Sequence, residues 1–158
     1  MRIVAFSDSH GKIGGMLDVI EKQPSADWYV FLGDGQEEFE ELKTIYPNKT
    51  FVGVRGNCDF LSQLPAQYVI DANGVKVLCT HGHNHFVKSG MGYIMESAKQ
   101  IGAAVILHGH THNAITHYED GIHLICPGSL SRPVKSHPSF AIIDITEKGI
   151  ISNIVWLN

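Results

Sequence analysis

Five short, largely apolar runs in this chain each lead into a residue type that binds metal ions, and this pattern constrains the fold more than any other feature. Residues 2–6 run into Asp8-Ser9-His10, 28–32 into Gly33-Asp34, 50–55 into Gly56-Asn57, 75–80 into His81-Gly82-His83, and 103–107 into Gly109-His110-Thr111-His112. Short apolar runs bounded by glycine-containing turns read as buried strands. Between the first three lie two helical patterns. One, over 13–23, puts Ile13, Met16, Leu17 and Ile20 on one face and stops at Pro24; the other, over 36–46, turns Phe39, Leu42 and Tyr46 inward behind an acidic face. Strand, helix, strand, helix, strand predicts parallel pairing under covering helices. In such sheets the carboxyl ends of the strands open onto one crevice, so the five loops can converge.

The rest of the chain changes character. Asn73-Gly74 between runs 67–71 and 75–80 predicts a tight hairpin, because both residues accept positive φ. A helix over about 90–101 leads into the strand at 103–107, and runs near 114–118, 121–126, 139–145 and 149–156 follow, separated by turn residues. The expected class is α/β, with two mixed β-sheets packed together and helices outside. With no internal repeat, low-complexity stretch or linker, residues 1–158 read as a single domain.

Composition narrows the partners. Twelve Lys plus Arg against sixteen Asp plus Glu give a formal charge of −4, the wrong sign for a duplex or membrane surface. Cys58, Cys79 and Cys126 are odd in number and lack a Cys-x-x-Cys pair, which points away from a disulfide framework and toward a reducing, cytoplasmic setting. No apolar stretch approaches the ~18 residues of a membrane span, and the first apolar run is too short for a signal peptide.

With His83 set aside, the strand-end residues supply two aspartates, one asparagine and four histidines, too many for one ion. Imidazole with carboxylate suits Mn, Fe, Co, Ni or Zn. A carboxylate can bridge two such ions, and Asp34, inside Gly33-Asp34-Gly35, is the bridging candidate. Two divalent cations against two carboxylates and one hydroxide leave a net positive charge, which attracts a phosphate ester.

Asp8-x-His10, Gly33-Asp34, Gly56-Asn57, His81 and Gly109-His110-x-His112, in that order, resemble the calcineurin-like metallophosphoesterase superfamily, and Gly56-Asn57-Cys58-Asp59 in a short chain is most similar to its small YfcE-type phosphodiesterases. The resemblance implies a four-layer αββα sandwich. It implies a first metal held by Asp8, His10, Asp34 and His112, and a second held by Asp34, Asn57, His81 and His110. Mn2+ stands first among the candidate metals, ahead of Ni2+, Fe2+, Co2+ and Zn2+. The implied reaction is hydrolysis of a small phosphate ester through a metal-bridging hydroxide, with Asp34, Asn57 and His81 around the hydroxide and phosphate. One departure matters: where the wider superfamily places a histidine that assists the leaving group, this chain has Cys58, so His83 is the remaining candidate proton donor or supporting residue. The alternative reading is a non-catalytic metal-binding scaffold, a use to which a retromer subunit puts the same fold. A nuclease would need a basic groove that this acidic chain lacks.

Other polar residues carry plainer expectations. His108 should support the site through a hydrogen bond, and Asp59 should orient a ligand or cap its turn. His85, His117, His123 and His137 read as surface or strand residues, and Cys58 as small and partly buried. Glu37, Glu38, Glu40 and Glu41 read as a solvated helix face. Phe86, Met91 and Tyr93 read as packing or subunit contacts, which leaves a homo-oligomer open.

Overall fold

The structure is a computed structural model describing residues 1–134 and 137–158. Its first half contains β1 (Arg2–Phe6), α1 (Gly14–Lys22), β2 (Trp28–Phe31), α2 (Gln36–Ile45), β3 (Phe51–Gly53), β4 (Gln67–Ala72) and β5 (Val75–Thr80). A 3-10 turn (His83–His85) leads to α3 (Gly92–Ile101), β6 (Val105–His108), β7 (Ile115–Glu119), β8 (Ile122–Cys126), β9 (Ser139–Thr146) and β10 (Gly149–Trp156). The predicted elements form with ends within two residues of those expected. The 3-10 turn was not foreseen.

The strands make two five-stranded mixed sheets, ordered β10-β9-β1-β2-β3 and β4-β5-β6-β8-β7. In the first, β1, β2 and β3 pair in parallel, and β9 runs antiparallel to β1. In the second, β5, β6 and β8 are parallel, with β4 and β7 antiparallel at the edges. Asn73 and Gly74 take φ of 57° and 85°, as a tight hairpin requires, and Gly74 N–H donates to Asp71 Oδ1 at 2.7 Å.

Three apolar layers follow from the alternation of strand side chains. Ile3 and Ala5 of β1 point between the sheets, where they meet Val30, Leu32, Val77, Cys79 and Leu107. Val4 and Phe6 point the other way, onto Met16, Val19 and Ile20 of α1 and Phe39 and Leu42 of α2. On the far side, Leu78 and Ile106 pack against Ile94, Met95 and Ala98 of α3. Three interfaces between four layers make the αββα sandwich, and they explain why the central strands are apolar at every position. Among the described residues, no helix is long and apolar enough to cross a membrane.

The sheets stack so that the carboxyl ends of β1, β2 and β3 meet those of β5 and β6. The His81 imidazole, beyond β5, donates from Nδ1 to Leu32 O at the end of β2, 2.6 Å away, which joins the two sheets. His110 N–H, beyond β6, donates to Asp8 Oδ2 beyond β1 at 3.2 Å, a second tie.

Candidate metal centre

Five of the seven candidate ligands adopt left-handed backbone: Asp8 (φ 59°), His10 (43°), Asp34 (61°), His110 (67°) and His112 (55°). That region is sparsely populated by non-glycine residues, and its clustering in one place marks a functional constraint. The neighbouring glycines serve the same crowding. A Cβ on Gly56 would overlap Asp34 Oδ1, and one on Gly109 would overlap Ser7 Oγ and stand 3.0 Å from Asp8 Oδ2.

The side chains meet in two adjoining groups. In the first, His112 Nε2 lies 3.0 Å from Asp8 Oδ1, His10 Nε2 lies 3.7 Å from Asp8 Oδ1 and 4.0 Å from Asp34 Oδ2, and the two Nε2 atoms are 3.3 Å apart. In the second, His81 Nε2 lies 3.5 Å from Asp34 Oδ2 and 3.0 Å from Asn57 Oδ1. Asp34 belongs to both. His110 packs its ring on His81, centroids 5.0 Å apart, but among the described residues it joins none of the sets in which three His, Cys, Asp or Glu donors lie within 4.8 Å of one another. Cys58 does join one, with His10 and Asp34.

The fit of a cation rests on hydrogen-bonding arithmetic. Asp8 is fully buried; its Oδ2 accepts from His110 N–H, whereas its Oδ1 has no hydrogen-bond partner. A buried carboxylate oxygen without a partner is costly unless a cation faces it. The imidazoles are oriented for that cation. His81 donates from Nδ1 to Leu32 O, and His112 from Nδ1 to Arg132 O at 2.9 Å, so the neutral tautomer of each ring presents its Nε2 lone pair to the site. Burial holds His10 and His110 below the ordinary imidazole range, His110 at about 4, which keeps both rings neutral and able to ligate near pH 7. His112 is shifted upward by the Asp8 carboxylate beside it.

Supporting residues hold the loops. Asp59 is the principal one: its carboxylate accepts from Asp34 N–H at 2.8 Å, Gly35 N–H at 2.9 Å, Gln36 N–H at 3.0 Å and Gly56 N–H at 2.7 Å. It thereby caps α2 from another loop and locks the Asp34 turn onto the Asn57 turn. Both roles expected of Asp59 hold. Replacing it with Ala strands four N–H donors, so metal affinity should fall about 10- to 100-fold and stability by about 1–3 kcal/mol. Metal titration and denaturant unfolding of Asp59→Ala check this; wild-type values for both would contradict the locking role.

Several expectations need correction. Glu38 is not a solvated helix residue: its Oε1 accepts from Ser9 Oγ at 2.8 Å and from Gly11 N–H at 2.5 Å, bracing the loop that carries His10. Cys58 is exposed rather than partly buried, and its N–H donates to Asp34 Oδ1 at 2.8 Å. Its thiol is pushed up to about 11, first by desolvation and then by the Asp34 carboxylate, so it stays uncharged at neutral pH. His85 is half-buried in the 3-10 turn, with a buried Nδ1 that lacks a partner.

His108, His117, His123 and His137 lie where the sequence places them. His108 is fully buried, and its Nδ1 bonds Gly109 O at 3.0 Å. His83 is half-buried, 5.4 Å from His81 between ring centroids and 6.1 Å from His110, with its Nδ1 unpartnered. His117 lies on β7 near Glu119, His123 stacks on Tyr118 from β8, and His137 is exposed. Met91 packs beside α3, while Phe86 and Tyr93 are exposed.

The segment 129–132 also escaped the sequence reading. Ser129 and Ser131 hydroxyls donate to Asp8 O at 2.8 and 3.2 Å, and Arg132 supplies the carbonyl that orients His112. Nothing in Ser129-Leu130-Ser131 distinguishes it locally from an ordinary turn.

The family model for the calcineurin-like phosphoesterase superfamily domain matches residues 1–148. The probable metallophosphoesterase YsnB of Bacillus subtilis is 34% identical, over 92% of this chain and 85% of the relative. The phosphodiesterase YfcE of Escherichia coli K12 is 27% identical, over 96% of this chain and 92% of its own. Among solved structures, wild-type Vps29 of Entamoeba histolytica complexed with zinc superposes with a TM-score of 0.76 at 19% identity over the whole of both chains, a likeness of fold.

Proposed function

The chain belongs to the calcineurin-like phosphoesterase superfamily, and from that premise we propose a binuclear metal-dependent phosphodiesterase acting on small phosphate esters. The observation that carries the reading is the buried, unpartnered Oδ1 of Asp8 facing His112 and His10. Asp8, His10, Asp34 and His112 would hold one divalent ion, and Asp34, Asn57, His81 and His110 the other, with Mn2+ first among the candidates. When bound, the pair supplies Lewis-acid polarisation of the phosphoryl oxygens and a hydroxide nucleophile at neutral pH.

The chain's own groups do the rest. Asp34 is held from two sides, by Asp59 on its backbone N–H and by Cys58 N–H on its Oδ1, which aims Oδ2 between His10 and His81. His81 cannot rotate without breaking its bond to Leu32 O. The reading extends to one phosphoesterase domain over 1–158 working in a reducing compartment, the cytoplasm, in keeping with three free cysteines.

Proton supply to the leaving group is the weak step. Cys58, with its thiol near 11, is a weak acid, and burial favours the neutral, proton-free form of His83, so neither is a ready proton donor at neutral pH. General acid catalysis is worth roughly 10²- to 10⁴-fold. The test is Mn2+-dependent hydrolysis of aryl and alkyl phosphodiesters of graded leaving-group pKa, beginning with bis-p-nitrophenyl phosphate. Hydrolysis with a steep fall toward poor leaving groups is expected. A flat series would contradict the missing acid, and metal-loaded protein without any turnover would favour the non-catalytic scaffold that the fold likeness to Vps29 keeps as the second reading.

A further inference from the structure

Beside the candidate metal centre lies a cavity of about 440 Å³ whose lining includes His10, Asp34 and Cys58 together with Phe60 and Leu61. Phe60 is 89% exposed and Leu61 93% exposed. A single exposed apolar side chain needs no cause, but two in succession on the rim of a charged site do. The loop that carries them is not slack. Arg55 N–H donates to Pro65 O at 3.0 Å across its base, Ser62 N–H donates to Asp59 O at 3.2 Å, and Leu64 packs against the layer beneath α2. Asp59, the residue immediately before Phe60, is the one that locks the Asp34 turn. The apolar pair is therefore held in register with the candidate ligands.

The cavity is also lined by Glu37 and Glu38, and no Lys or Arg is among its described lining residues. A second anionic group on the substrate would meet these carboxylates and no Lys or Arg among the described lining residues. A flat, apolar, uncharged group would instead lie against Phe60 and Leu61 and desolvate them.

We propose that Phe60 and Leu61 form the subsite for the organic group of the ester and select substrates carrying one phosphoryl group and an uncharged aromatic substituent. This rests on the phosphoesterase reading above. The test compares binding of phenylphosphonate, methylphosphonate and 4-carboxyphenylphosphonate to the Mn2+-loaded full chain by calorimetry. Phenylphosphonate should bind about tenfold tighter than methylphosphonate, and the added carboxylate should weaken it. In the double variant Phe60→Ser/Leu61→Ser, whose sites are too exposed to threaten folding, the phenyl-to-methyl ratio should fall close to one. A ratio near one in the wild type, or an unchanged ratio in the variant, overturns the subsite while leaving the phosphoesterase reading standing. Failure of all three phosphonates to bind the metal-loaded protein, together with no ester hydrolysis, overturns both.

Discussion

Asp34→Asn should yield a folded protein that has lost most of its metal and turns over phosphodiesters roughly 10³-fold more slowly or worse, a loss on the scale of removing a central electrostatic group. The amide is nearly isosteric, so the local geometry decides the outcome. Asp34 Oδ1 is committed to Cys58 N–H at 2.8 Å, and an Asn in this place keeps its carbonyl oxygen there. Its NH2 then occupies the Oδ2 position, 4.0 Å from His10 Nε2 and 3.5 Å from His81 Nε2, and presents hydrogens where a cation needs a lone pair. Because Asp34 belongs to both donor groups, both are spoiled at once. Removing one of two buried carboxylates also relieves repulsion with Asp8, so the metal-free variant should be at least as stable as metal-free wild type. An ordinary turn aspartate would behave otherwise, costing stability and sparing turnover. Retention of wild-type turnover in Asp34→Asn would contradict the shared-ligand role.

The path from sequence to site was short wherever the information was local. The apolar runs, the Asn73-Gly74 hairpin and the residues that close each strand are written in neighbouring positions, and the candidate ligands at 8, 10, 34, 57, 81, 110 and 112 come from them. What the sequence concealed is non-local. Hairpin β7–β8 joins the second sheet and β9–β10 the first, a choice made by pairing at long separation, as when Ala5 of β1 takes Ala141 as its partner. The same holds for support of the ligands. Ser129 reaches Asp8 O across 121 positions, and Asp59 caps a helix that begins 23 positions before it. Glu38 sits in a run of acidic residues and differs from them only in facing Ser9 and Gly11. Residue type singles out the candidate ligands, whereas position in three dimensions chooses their supports.

Removal of divalent metal should abolish turnover and also weaken the fold. Without cations, Asp8 and Asp34 face one another and the histidine nitrogens with too few protons to satisfy them, and Asp8 Oδ1 has no hydrogen-bond partner. A ligand that binds only the folded chain stabilises it by about 2.7 kcal/mol at a hundredfold excess over its dissociation constant. For a chain of this size, that corresponds to a rise in Tm of roughly 5–10 °C. Chelation followed by Mn2+ addition should therefore move Tm and activity together, in wild type but far less in Asp34→Asn.

The proposed function has seven strand-end residues hold two ions around one shared aspartate. Its most direct test is titration of chelator-stripped protein with Mn2+ while bis-p-nitrophenyl phosphate hydrolysis is recorded. Turnover should start at background, rise with upward curvature and reach its plateau at two ions per chain. A plateau at one ion, or full turnover in the stripped protein, would contradict it.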